Sequence, residues 1–154
     1  MGITPKSGDN TMLLGEHKHN LDTKGRLAIP AKFRGDLSAG AIITRGLDRS
    51  LFIFGTGEWE NLVKKLTSLP LAQANSRAFV RLMLAGASDV ELDAQGRVLI
   101  PDYLREYAGL KKQAVIAGLY NRIEVWDAEV WKQYKSKTEA ASDEIAEKLG
   151  ELGI

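Results

Sequence analysis

The sequence predicts an α+β fold in which two internal repeats share one core. Three observations carry that prediction. LDTKGRLAIPAKFR at 21–34 returns as LDAQGRVLIPDYLR at 92–105, with seven identities in fourteen positions. Each copy is followed by short apolar runs bounded by turn-forming residues, and then by apolar residues at helical spacing. A chain of 154 residues, 44% hydrophobic, suffices for one domain or for two small ones joined in a single core.

Within each unit the elements follow from local chemistry. A strand precedes Asp22 and Asp93. Gly25 and Gly96 stand where a tight turn needs positive φ. Residues 26–29 and 97–100 are short apolar strands. Pro30 and Pro101 end them by removing a ladder donor, and each can open a helical turn. Gly35 and Gly109 are expected to close those turns. Strands are predicted at 41–44 and 51–54, and again at 114–117 and 122–126, joined by the turn signals at 46–50 and 118–121. The repeat stays in register beyond the fourteen residues: Gly46-Leu47, Phe54 and Trp59 recur 72 positions later as Gly118-Leu119, Trp126 and Trp131. Two copies are too few for a solenoid, so a pseudo-symmetric core of two half-barrels is expected.

Helices are predicted at 59–69, stopping at Pro70, at 75–87, and at 128–149. The last carries a stripe of Val130, Trp131, Tyr134, Thr138, Ala141, Ile145 and Leu149. That stripe can cover the chain's own barrel or pack partly on a neighbouring subunit. The expected division is a flexible leader or added extension at 1–11, repeat 1 at 12–58, connecting helices at 59–87, repeat 2 at 88–131, and a C-terminal helix and tail at 132–154. Met12 reads as the native start.

Charge is unevenly placed. The formal sum is only +1, which argues against a strongly basic nucleic-acid binder. From 24 to 34, however, Lys24, Arg26, Lys32 and Arg34 face no acid. From 95 to 105, Arg97 and Arg105 face Asp102; from 127 to 154, four Lys stand against seven acids, a balance of −3. No apolar run reaches the roughly 18 residues of a membrane span, and no secretory leader is recognisable. There is no cysteine, hence no disulfide, thiolate nucleophile or Cys-based zinc site.

Catalysis finds little support. His17 and His19 share a strand face, but no third ligand has convincing spacing for a metal, and they read as exposed polar strand residues. Asp22 and Asp93 imitate a carboxylate pair, yet an Arg four residues on holds each one ionised. Phosphate-loop, nucleophile-elbow and zinc-protease motifs are absent. The D-x-x-G-R unit reads instead as a turn clamp, with Asp22, Gly25, Asp93, Gly96 and Arg97 in that role. Arg26 carries a second reading as a presented guanidinium, suited to phosphate or guanine, with Lys24, Lys32 and Arg34 beside it.

MLLGEHKHNLDTKGRLAIPAKFR at 12–34, RAFVRLMLAGASDVELD at 77–93, DAQGR at 93–97 and EVWDAEVW at 124–131 resemble the bacterial MraZ family, built from two AbrB-like (SpoVT-AbrB) domains. The likeness runs from Met12 to about Leu149. It implies a swapped-hairpin, double-split β-barrel made by two repeats and flanked by helices. It implies ring-shaped homo-oligomers in the cytoplasm, on the nucleoid. These would bind double-stranded DNA at repeated elements upstream of the division and cell-wall genes and regulate transcription, with no cofactor, membrane partner or small-molecule substrate. Asp22 with Arg26, and Asp93 with Arg97, take the places of the twin DxxxR motifs. A ring would align several basic first repeats, offsetting the weak charge of one protomer by avidity.

Overall fold

The computed structural model describes residues 13–153; the leader and Met12 lie outside the described residues. Among the described residues eight strands form: β1 (Leu13–Asn20), β2 (Arg26–Ala28), β3 (Ala41–Arg45), β4 (Leu51–Gly55), β5 (Ser88–Val90), β6 (Arg97–Leu99), β7 (Gln113–Tyr120) and β8 (Ile123–Asp127). Six make one antiparallel sheet in the order β1-β7-β8-β4-β3-β5, and β2 and β6 form a separate two-stranded ribbon. The hydrogen bonding therefore makes two sheets rather than one closed ring.

This order is symmetric under exchange of the repeats. The first strand of each repeat pairs with the third strand of the other: β1 lies on β7, and β5 on β3. The two self-related contacts mark a pseudo-two-fold axis. Leu27 sits opposite Val98 in the ribbon, and Phe52 opposite Glu124 between β4 and β8. Neither repeat can complete its own sheet, because each contributes an edge that only the other pairs. The halves lock further where Ile29 N donates to Gly96 O and Ile100 N to Gly25 O, both at 2.9 Å.

The core lies between the sheet and the ribbon. Leu27, Ile29, Val98 and Ile100 from the ribbon region are fully buried against Ile43, Ile53, Ile116 and Val125 of the sheet. A 3-10 turn (Ala31–Phe33) followed by α1 (Arg34–Leu37), and α4 (Asp102–Ala108), close the two ends through Phe33, Leu37, Leu104 and Ala108. The other sheet face is covered over repeat 1 by α2 (Thr56–Thr67), α3 (Ala74–Val80) and a π-helical turn (Arg81–Ala85). There Phe52, Phe54, Leu66 and Met83 form a second cluster with Trp59, Leu62, Phe79, Val80 and Leu84.

Several helix boundaries differ from expectation. The first connecting helix starts three residues early, at Thr56, where Gly55 leaves the strand in extended conformation. The second is α-helical only to Val80; beyond it the turn widens and the Met83 carbonyl accepts from the buried Thr44 hydroxyl. The predicted helix 128–149 is two helices, α5 (Ala128–Ala140) and α6 (Ser142–Leu149), broken at Ala141 with φ −106° and ψ 13°. Asp127 caps α5 by accepting from the amides of Glu129 and Val130. Gly109 does close α4, at φ +60°, whereas Gly35 sits inside α1 and closes nothing. The stripe on α5 and α6 leaves Val130, Tyr134, Ile145 and Leu149 exposed, so it covers the chain's own sheet only in part.

Candidate nucleic-acid interface

The twin D-x-x-G-R segments fold into identical turns on either side of the pseudo-axis. Asp22 Oδ1 accepts from the amides of Lys24 (2.9 Å) and Arg26 (2.8 Å), while Oδ2 accepts from Arg26 Nε at 2.7 Å. Asp93 does the same with Gln95 N, Arg97 N and Arg97 Nε, each at 2.9 Å. The backbone reverses through Gly25 at φ +84° and Gly96 at φ +77°, which L side chains resist.

The amide of Arg26, then its guanidinium and the Lys24 amide, hold the Asp22 carboxyl at about 2, below its ordinary 3.8. The Arg97 amide is the largest influence on Asp93, followed by the Gln95 amide and the Arg97 side chain, and it too is lowered. Both carboxylates are ionised at neutral pH, with no proton to share.

The two glycines serve a second purpose. Arg105 lies over Gly25, and Arg34 lies over Gly96, so that a Cβ at either glycine would fall on a guanidinium of the other repeat. Arg34 Nε donates to Ile29 O at 2.8 Å, and Arg105 Nη1 to Ile100 O at 3.0 Å. Arg105 also pairs with Asp102. These arginines brace the seam between repeats. Of the four basic residues singled out in the first repeat, Lys24 and Arg26 stand together at the turn, Lys32 is exposed on the 3-10 turn, and Arg34 reaches across the axis. The bracing role was not read from the sequence, although the recurrence of Arg34 as Arg105 signalled a shared structural task.

The axis brings the two clamps onto one surface. Arg97 Nη1 lies 3.6 Å from Asp22 Oδ2, so the second repeat's arginine also reaches the first repeat's carboxylate. The Arg26 and Arg97 side chains keep 33% and 27% of their surface exposed. Among the described residues, Asp22 engages the Arg26 guanidinium through Nε, and a guanidinium fixed at Nε presents its Nη amines in a set direction. Lys32 Nζ rests 5.6 Å from the Phe33 ring centroid, whose edge meets His17 at 5.3 Å. His17 and His19 are half-buried rather than exposed, because the strand lays His17 against Phe33; burial first, then Lys32 and His19, push His17 below its ordinary value. Among the described residues no three His, Cys, Asp or Glu gather as metal ligands, and no helix is long and apolar enough to cross a membrane.

Such an arrangement suits anion recognition: fixed guanidiniums, flanking flexible ammonium groups, and no nucleophile or shared proton. Comparison with known proteins identifies the family. The model of the MraZ protein family, described as antitoxin-like, matches twice, over residues 12–82 and 83–151. The chain is 48% identical to the transcriptional regulator MraZ of Thermoanaerobacter pseudethanolicus and 51% identical to that of Halothermothrix orenii, each over 143 residues. Both alignments cover 93% of this chain and all of the relative. The MraZ of Acetivibrio thermocellus is 50% identical over the same span. Each of these relatives is named as a transcriptional regulator. With two tandem matches, each containing one clamp, the chain belongs to the MraZ family.

Proposed function

We propose that this chain is a sequence-specific DNA-binding regulator of transcription that works as a ring-shaped homo-oligomer. It engages repeated elements in the promoter of a division and cell-wall gene cluster, on the nucleoid. The observation that carries the reading is the pair of clamped arginines, Arg26 and Arg97, held on one surface by Asp22 and Asp93. The names of the relatives support regulation of transcription. Arg26 reads base edges, Lys24 assists it, and Lys32 and Arg34 supply positive charge to the phosphates. Asp22, Gly25, Asp93, Gly96 and Arg97 hold the reading surface in shape. In this reading the strand exchange between repeats is that of a double-split, swapped-hairpin barrel.

Self-association has its own support. Over repeat 1, α3 and the π-helical turn cover the aromatic cluster around Trp59. In the corresponding cluster of repeat 2, Trp126 packs against Trp131 (5.1 Å) and Tyr134 (5.0 Å), and Val130, Tyr134 and Ile145 at its edge stay exposed. A neighbouring copy completes it.

The test is a fluorescence-anisotropy titration of a repeat-containing promoter duplex against a scrambled one, with wild type, Arg26→Ala and Arg97→Ala. Light scattering would check for multiples of the 16.9 kDa protomer. Wild type is expected to prefer the repeats, and Arg26→Ala to lose that preference, at a cost of about 1–3 kcal/mol. Arg97→Ala is expected to lose less. Wild type that assembles but binds neither duplex would favour a scaffold protein without DNA binding instead.

A further inference from the structure

The repeats are related in backbone but opposed in charge, and the strand exchange sharpens that opposition. Lys18, Lys24 and Lys32 correspond, 71 positions later, to Asp89, Gln95 and Tyr103, and Asn20 corresponds to Glu91. The loop that leads into the third strand differs more. Buried Leu37 and Ala108 are 71 apart, whereas the core-facing pairs Ala41 and Ala114, and Ile43 and Ile116, are 73 apart. Two residues are therefore inserted at 109–113 relative to 38–40, and that longer loop carries Lys111 and Lys112. Its shorter counterpart is Ser-Ala-Gly, without charge.

Because β7 pairs with β1, this second-repeat loop lies beside the first repeat's clamp. Leu21 N donates to Lys112 O at 2.8 Å, one residue before Asp22, and Asn20 pairs with Gln113. Lys111 N donates to Asp127 Oδ1 at 3.2 Å, so the loop backbone is held at both lysines. Both side chains are exposed and line one groove with Lys18, Lys132 and Lys135, which Asp127, Glu129 and Glu139 also line. The acid nearest them on β1, Glu16, is already engaged by Trp131 Nε1 and Lys135. At the corresponding positions the first repeat's clamp thus has Lys18, Lys24 and Lys32, joined by Lys111 and Lys112 of the longer loop, where the second has Asp89 and Glu91 and an uncharged loop. A polyanion meeting the clamped arginines is drawn to the first side and repelled from the second.

We infer that Lys111 and Lys112 contact phosphates of the DNA bound at the Asp22–Arg26 clamp, so that the duplex lies off the pseudo-axis on the first repeat's side. The inference rests on the DNA-binding reading above. Neither lysine belongs to the repeated motif; both reach the site only through the partner strand.

The experiment measures affinity for the repeat-containing duplex between about 50 and 200 mM salt. It compares full-length wild type, Lys111→Gln/Lys112→Gln, Lys111→Arg/Lys112→Arg, and a control that removes the same charge from exposed positions of α2, Lys64→Gln/Lys65→Gln. The glutamine pair is expected to bind roughly three- to tenfold more weakly at physiological salt, with the slope of log affinity against log salt shallower by about 1 to 2. Its discrimination against the scrambled duplex and its light-scattering mass should be unchanged. The arginine pair and the α2 control should keep the wild-type slope. A wild-type slope in the glutamine pair, or an equal loss in the control, would overturn the assignment. Wild type that binds no duplex at any salt would instead overturn the DNA-binding reading, and this inference with it.

Discussion

At the scale of single residues, the clamp carboxylates tie stability to pH. The folded pKa of Asp22 is about 2, below its ordinary 3.8. A depressed carboxyl stabilises the fold fully above its unfolded value and loses that contribution as pH falls through the folded one. The stability gap between wild type and Asp22→Asn should hold steady from pH 7 to about pH 5 and shrink between about pH 4 and pH 2; urea unfolding at each pH checks it. A gap that instead narrows near neutrality would contradict the clamp as the source. Asp, Gly and Arg could be read from the sequence at this scale because the turn is local: acceptor, reversal and donor lie within five positions. The company they keep could not. Arg34 and Arg105 cover each other's glycines from 62 and 80 positions away in the chain, and no pattern in either repeat says where the other repeat lies.

At the scale of elements, strands and turns followed from Gly, Pro and apolar runs, whereas the helix break at Ala141 did not. Ala141 and Ser142 carry no breaker, and alanine is the best helix former, so the apolar stripe ran through the break unmarked. The two-residue loop insertion was visible only as a drift in spacing. The ribbon is where the elements matter most. Leu27 and Val98 face each other on the axis, both fully buried. Leu27→Ala should cost about 2–5 kcal/mol, because the sheet beneath and the partner strand leave little room to collapse into the cavity. Denaturant unfolding should show this as a lower midpoint of a single transition with an unchanged m-value. A second transition would mean that the repeats unfold separately.

At the scale of the whole molecule, the two repeats are one folding unit. Each edge strand finds its partner only in the other half, so residues 12–87 alone should not form a stable monomer. Circular dichroism and light scattering of that fragment should give an unfolded chain, or a dimer in which two copies supply each other's missing strand. A folded monomeric fragment would contradict the exchange as a requirement for stability. This dependence also explains why the periodicity of the sequence foretold α+β and a shared core but not the strand order: hydrophobic pattern reports which face is buried, not which strand lies alongside.

The pairing of β1 with β7 sets a timetable for synthesis. The residues that pair with β1 come 93 to 107 positions later in the chain. At roughly 5–20 residues per second, β1 leaves the ribosome some seconds before any partner exists. For that interval the nascent chain carries an eight-residue strand with open hydrogen-bonding groups, and the second copy of its own motif is what ends the wait. Neighbouring ribosomes on one message hold the same strand in the same state. A slowed or interrupted translation therefore yields an edge that can pair with another nascent chain, rather than a finished half of the protein.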